Sequence, residues 1–163
     1  VADAGSDTIY IWEGVPGNSD SPTYSLPNLA NLGRIDMNDT HLAIGCYPGG
    51  SSFKVLELSS LSSPSYQTVP GQDCPSEVSL NEKGFFIPSD DKIIGWNSIS
   101  DALAGSSPTM SFGGRTDKTN MGTKMASGIS WDGYHFWVGE YKFSNRLLGF
   151  LPSGTVPCRI VGI

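Results

Sequence analysis

Charge is scarce in this chain. Of 163 residues only 16% are charged, and 10 basic residues face 16 acidic ones, for a net charge of -6. Such a balance offers no electrostatic footing to a phosphate backbone or an anionic membrane surface, so nucleic acid is not an expected partner. Long apolar runs are absent too. None approaches the roughly 18 residues a membrane helix needs, and no basic stretch followed by an apolar segment opens the chain, so membrane insertion is not expected. Histidine and cysteine number only 2 and 3, with no CxxC pair and no His at ligand spacing, which argues against a zinc site. No metal and no cofactor are expected. Cys46, Cys74 and Cys158 read as packed thiols. A single Cys46–Cys74 disulfide is the alternative that an exported protein would carry.

Helical periodicity is nearly missing. Only residues 99–104 carry it, and Gly105 to Pro108 would stop a helix there. What the chain has in quantity is Gly (20) and Pro (11), together with 4 Trp, 7 Phe and 6 Tyr, a turn-rich globular composition that excludes both disorder and collagen. At this length one domain over residues 1–163 is the simplest division. The surplus of Ser, Thr, Asn and Gly over charged residues suits an extracellular, periplasmic or cell-surface setting. Asn38, Asp39 and Thr40 match a glycosylation acceptor triplet, a pattern that often arises by chance. Val1 is not an initiating Met, which implies a chain that is processed or part of something longer.

An internal repeat organises the whole sequence. Residues 33–45, 76–88 and 127–139 align without a gap. Ile35, Val78 and Ile129 correspond, then Met37, Leu80 and Trp131, then a turn opened by Asn38, Asn81 or Asp132, then Leu42, Phe85 and Phe136, then Ile44, Ile87 and Val138. Apolar residues two apart, a polar turn and apolar residues two apart again predict an antiparallel hairpin in each segment. A third strand is expected at 8–12, 54–58, 92–96 and 146–150, each closing on a large apolar residue. A fourth opens on Pro22, Pro64, Pro108 or Pro157, at spacings of 42, 44 and 49 residues. Four short strands repeated every 40 to 50 residues are the signature of β-propeller blades. The fold class is therefore all-β, an arc of about four four-stranded antiparallel blades. The first unit begins in its second strand and lacks the inner one.

With those residues on the page, the chain resembles bacterial and archaeal propellers of the NHL-repeat type. Their units run from a strand ending in Val-Ala-Asp through Asn-Arg-Val-x-x-Trp-Asn to a proline-opened strand. Val1 to Trp12, Lys92 to Ile99 and Asn145 to Phe150 are similar to that pattern, and the similarity extends over nearly the whole chain. The second unit departs from it, with a loop lengthened by Gly49, Gly50, Ser51 and Ser52 and with Leu58 in place of Trp. So does the insertion at 115–126. The resemblance implies a fold more than a function, because propellers host many unrelated activities.

Propellers that close have roughly 4 to 8 blades, so an arc of this size implies something that continues it: further blades of the parent protein or a second copy. Ile9, Ile11, Leu147 and Phe150 are expected on the faces left bare at the two ends. For chemistry, the polar positions of the inner strands stand out. Arg34, Asp36, Glu77, Ser79, Gly128 and Ser130 alternate against the apolar set and should line the axial channel. Arg115, Lys118 and Lys124 fall in the insertion, a loop suited to a contact surface. His41 and His135 share one repeat position and read as turn or packing residues. Asp90 and Asp91 read as turn formers. Glu140 and Arg146 read as a rim ion pair. No catalytic residues are identified. The leading reading is an NHL-like binding or interaction module of a secreted or cell-surface protein, holding a protein or a polar small molecule. The alternatives are a fragment of a metal-dependent lyase or lactonase-like hydrolase, and a structural repeat of a surface assembly.

Overall fold

A strand with apolar side chains on both faces is satisfied only between two packed sheets. The middle strands of this chain are of that kind, Leu42, Ala43 and Ile44 in one and Phe85, Phe86 and Ile87 in the next, and all six residues are buried. A computed structural model of the protein shows how they are accommodated. It describes residues 1–46, 53–72, 75, 77–89, 92–113, 115–116, 119–120, 126–140, 146–152 and 159–162.

The described chain is organised as four antiparallel sheets in sequence order, a β-propeller arc. The first sheet has three strands, β1 (Ala2–Asp3), β2 (Thr8–Ile11) and β3 (Tyr24–Leu26). The second holds β4 (Leu32–Met37), β5 (His41–Cys46), β6 (Lys54–Glu57) and β7 (Tyr66–Gln67). In the third are β8 (Ser79–Asn81), β9 (Gly84–Ser89), β10 (Lys92–Trp96) and β11 (Met110–Gly113). A two-stranded ribbon, β12 (Arg115–Thr116) with β13 (Thr119–Asn120), precedes the fourth, which is β14 (Ala126–Trp131), β15 (Phe136–Glu140), β16 (Arg146–Phe150) and β17 (Arg159–Gly162). The first sheet thus lacks the inner strand that the other three possess, as expected. The one α-helix among the described residues, α1 (Ile99–Leu103), sits where helical character was read, with the Ser98 hydroxyl accepting from the Asp101 amide at its N-terminus.

The three aligned segments are the three expected hairpins, in equivalent register. Met37 pairs with Leu42, Leu80 with Phe85 and Trp131 with Phe136; Ile35 pairs with Ile44 and Ile129 with Val138. The turns share their chemistry. The Asn38 Oδ1 accepts from the amides of Thr40 and His41, the Asn81 Oδ1 from that of Lys83, and the Asp132 Oδ1 from those of Tyr134 and His135. The Trp137 indole and those amides hold the Asp132 carboxyl well below the usual carboxylate range. A repeated device also closes the third strands. The Trp12 indole donates to the Asp20 carbonyl at 3.1 Å and the Trp96 indole to the Ser106 carbonyl at 2.7 Å, each tying a strand end to the connection ahead of the next strand.

Alternation then sorts the cores into three layers between sheets. Ile9, Leu26, Leu42, Ile44 and Leu56 join the first sheet to the second. Ala43, Val55, Leu80, Phe85, Ile87, Ile94 and Trp96 join the second to the third, with Phe85 stacked between Phe53 and Trp96. Phe86, Ile93, Phe136, Val138, Leu148 and Phe150 join the third to the fourth, where the rings of Phe86 and Phe136 are 4.3 Å apart. This corrects the expectation for the ends of the arc. Ile9 and Phe150 are fully buried against the neighbouring sheet, because their parity in the strand faces inward along the arc, and Ile11 is packed on the first core. The outer face of the last sheet instead carries Trp137, the half-buried Leu147 and the exposed Val161, with Leu147 and Val161 cross-strand partners.

Cys46 is disulfide-bonded, so the packed-thiol reading fails for it. Its amide donates to the Pro75 carbonyl at 3.0 Å, while the expected partner, Cys74, lies outside the described residues, as do Asp90 and Asp91. Glu140 and Arg146 are cross-strand partners in β15 and β16, at the place that Asp3 and Thr8 occupy in the first sheet; their side chains lie outside the described residues.

If the inter-sheet layers carry the fold, Phe86→Ala should lower unfolding free energy in urea by about 3–5 kcal/mol. Met37→Ala, at a residue 55% exposed, should change it by no more than about 0.5 kcal/mol. Equal losses for the two variants would contradict the layered core.

Candidate functional site

The inner strands face the axis of the arc, and their polar parity builds one wall. Register shifts in β4 between Leu32 and Ile35, and in β14 between Ala126 and Ile129, occur at the same repeat position. Such an irregularity redirects the chain beside it, here at Arg34 and at Gly128. In the third sheet the equivalent residue is Glu77, just ahead of β8. The result is a depression of about 420 Å³ lined by Arg34, Asp36, Glu77, Ser79, Gly128 and Ser130, together with the tips of the apolar positions between them and Asn81, Glu82 and Trp131 beyond. The five inner-strand residues singled out from sequence, Arg34, Asp36, Glu77, Ser79 and Ser130, are therefore brought together. Of the insertion residues, Arg115 contributes backbone to the two-stranded ribbon, while its side chain, Lys118 and Lys124 lie outside the described residues. Neither His41 nor His135 lines the depression. His41 Nδ1 lies 2.8 Å from the Thr40 hydroxyl and His135 Nδ1 3.5 Å from Asp132, both contacts within the hairpin turns.

The wall is made of unlike parts. Asp36 is a clamp. One carboxylate oxygen accepts from the Met37 amide at 2.9 Å and the other from the Leu80 amide at 2.8 Å, so a side chain of the second sheet fixes the inner strand of the third. Glu82 does the same one sheet further on, accepting from the Trp131 indole, over which the Lys83 ammonium lies 5.6 Å from the ring centre. Ser79 is buried and accepts from the Asn81 amide group at 3.0 Å, and that amide's own oxygen caps the turn.

Glu77 is different. It is 7% exposed and accepts no hydrogen bond among the described residues; its only partner there is Arg34, with Nε 3.6 Å from Oε1. Burial pushes its carboxyl up to about 7, against the pull of the Arg34 guanidinium. Arg34 itself has 66% of its side chain exposed at the mouth of the depression. Gly128 completes the ring with no side chain at all, and a Cβ added there would meet nothing within 4 Å. A buried carboxyl, an accessible guanidinium and an open space beside them make the depression polar and unevenly charged. Among the described residues no three His, Cys, Asp or Glu side chains gather at ligand spacing for a metal ion. The clamp role of Asp36 and the near-neutral Glu77 were beyond sequence reasoning: the clamp reaches an amide 44 residues away, and the other depends on how deeply one strand entrance is covered.

Removing the clamp should be measurable in stability. Asp36→Ala leaves two amides without their acceptor and should cost about 1–3 kcal/mol in denaturant unfolding, with Asp36→Asn milder; a neutral Asp36→Ala would contradict the inter-sheet role. Glu77 should show in pH dependence. Its folded-state pKa is raised from 4.5 to about 7, so the native protein holds more protons than the unfolded chain across that window and loses stability as pH rises through it. Relative to Glu77→Gln, the wild-type protein should therefore weaken by about 1–2 kcal/mol between pH 4.5 and 8, allowing for solvent screening. A constant difference would contradict burial of the carboxyl.

No protein-family model matches the chain, and the search of curated proteins finds no match to it.

Proposed function

We propose that this chain is a binding module, a section of an NHL-like propeller whose axial wall recognises a polar ligand. The observation that carries this reading is the convergence of corresponding positions from three sheets on one depression. Arg34 and Asp36, Glu77 and Ser79, and Gly128 and Ser130 come from the inner segments of three separate sheets, yet line the same space. Glu77 supports it, because a buried carboxyl with no hydrogen bond is costly to the fold alone and is satisfied when a ligand donates to it. Cys46 in a disulfide agrees with a secreted or cell-surface setting.

The same reading makes the arc part of a larger ring. Trp137, Leu147 and Val161 on the outer face of the last sheet, and the free edge of β1, suit packing against further blades of the same protein or a second copy. No observation favours the lyase, lactonase or surface-assembly readings over this one.

Two-dimensional NMR of the isotope-labelled chain against a panel of polar small molecules, with Ca²⁺ and Zn²⁺ in separate arms, tests the proposal. Binding should shift amide signals of residues 34–36, 77–80 and 128–130 first, and the metals should show no site tighter than about 10⁻⁴ M. Ligands that map only to the outer loops, or a tight metal site lost in Asp36→Ala, would overturn it.

A further inference from the structure

Which ligand the depression suits follows from which of its groups are uncommitted. Asp36 has both oxygens on backbone amides, Glu82 takes the Trp131 indole, and Ser79 and Asn81 are bonded to each other. Among the described residues three groups remain without a hydrogen bond: the terminal nitrogens of Arg34, the Glu77 carboxylate and the Ser130 hydroxyl, around the space that Gly128 leaves open. Arg34 approaches Glu77 with Nε at 3.6 Å, and the outer fork of the guanidinium, the edge that matches a carboxylate in two parallel hydrogen bonds, makes no hydrogen bond among the described residues.

The charges around this space select further. A simple anion drawn to Arg34 would meet Asp36, Glu77 and Glu82, in a chain of net charge -6. A simple cation drawn to Glu77 would meet the guanidinium at the mouth. A molecule carrying both signs on neighbouring atoms avoids both conflicts by lying antiparallel to the Arg34–Glu77 pair, as two dipoles do. Resting on the binding reading above, we infer that the depression is a site for a small zwitterion of the α-amino acid class. Its carboxylate sits on the Arg34 fork, its ammonium on the Glu77 carboxylate, and Ser130 is placed for a further hydrogen bond. The volume, about 420 Å³, lies at the small end of the range for ligand pockets. The fourth sheet contributes no charged side chain to the lining, and with Gly128 between the polar positions its part is to leave room.

Calorimetric titration of the chain with L-alanine tests this, with propionate, ethylammonium and glucose as comparison probes. L-alanine should bind with a dissociation constant of roughly 10⁻⁵–10⁻³ M, the range of a few charge-assisted hydrogen bonds. Propionate and ethylammonium should each bind at least about tenfold more weakly. Arg34→Gln and Glu77→Gln should each weaken L-alanine by about tenfold or more. Gly128→Val, which fills the open space without touching either charge, should abolish binding while the NMR spectrum stays that of the folded chain. Affinity should be higher at pH 8 than at pH 5.5, because Glu77 must be ionised to accept the ammonium. No heat of binding at 10-millimolar-scale L-alanine, or equal binding by propionate, would overturn the zwitterion. Glucose bound in its place, with losses in the same variants, would overturn it and leave the binding reading standing. Ligands that bind only elsewhere would remove both.

Discussion

Face-to-face packing of neighbouring sheets is the constraint on which everything else rests. Each sheet is at most four strands wide and its strands are short, β1 and β7 only two residues long, as are both strands of the ribbon. A sheet of that size cannot hold itself together in water without burying at least one face. Leu42 and Ile44 go one way and Ala43 the other; Phe85 and Ile87 go one way and Phe86 the other. A blade of this chain is therefore stable because of its neighbours, and the inner edges that the packing draws together become a shared surface. The axial wall is a by-product of that geometry. Its side chains have the opposite parity to the core, and they come from strands that the core forces side by side.

Inter-sheet polar contacts sharpen the arrangement. Apolar layers tolerate sliding, whereas the Asp36 carboxylate on the Leu80 amide and Glu82 on the Trp131 indole accept only one alignment of each sheet on the next. Glu77 works against this economy. Its burial disfavours the charged form, and Arg34 at 3.6 Å offsets only part of that. Among the described residues no donor meets the polar demand of this group at the wall of the depression.

The hairpins were legible because their information is local. Two apolar residues two apart, a turn opened by Asn or Asp and two more apolar residues specify a register by themselves, and the pairs Met37 with Leu42 and Trp131 with Phe136 follow from it. The polar parity of Arg34, Glu77 and Ser130 was legible for the same reason. What alternation leaves open is which neighbour each face meets. Ile9 and Phe150 were assigned to the outer faces of the arc, yet each packs on the one neighbouring sheet it has, Ile9 on the second and Phe150 on the third, and alternation alone does not say which of the two faces meets that neighbour. The oxidised state of Cys46 was one of two open readings, and composition could not choose between them, since a disulfide depends on which sulfurs the fold brings within bonding distance. Asp36 was found as an axial residue but not as a clamp, because its partner is a backbone amide, which has no signature in sequence.

The central claim is that three inner strands converge on one axial wall in which Glu77 is buried beside Arg34. A ¹³C NMR titration of the Glu77 side-chain carboxyl tests it most directly. The account predicts a midpoint of about 7, and a further rise in Arg34→Ala, where the guanidinium no longer favours the ionised form. A midpoint near the ordinary 4.5, unmoved by Arg34→Ala, would mean that the carboxyl is solvated and apart from Arg34, and would contradict the wall itself.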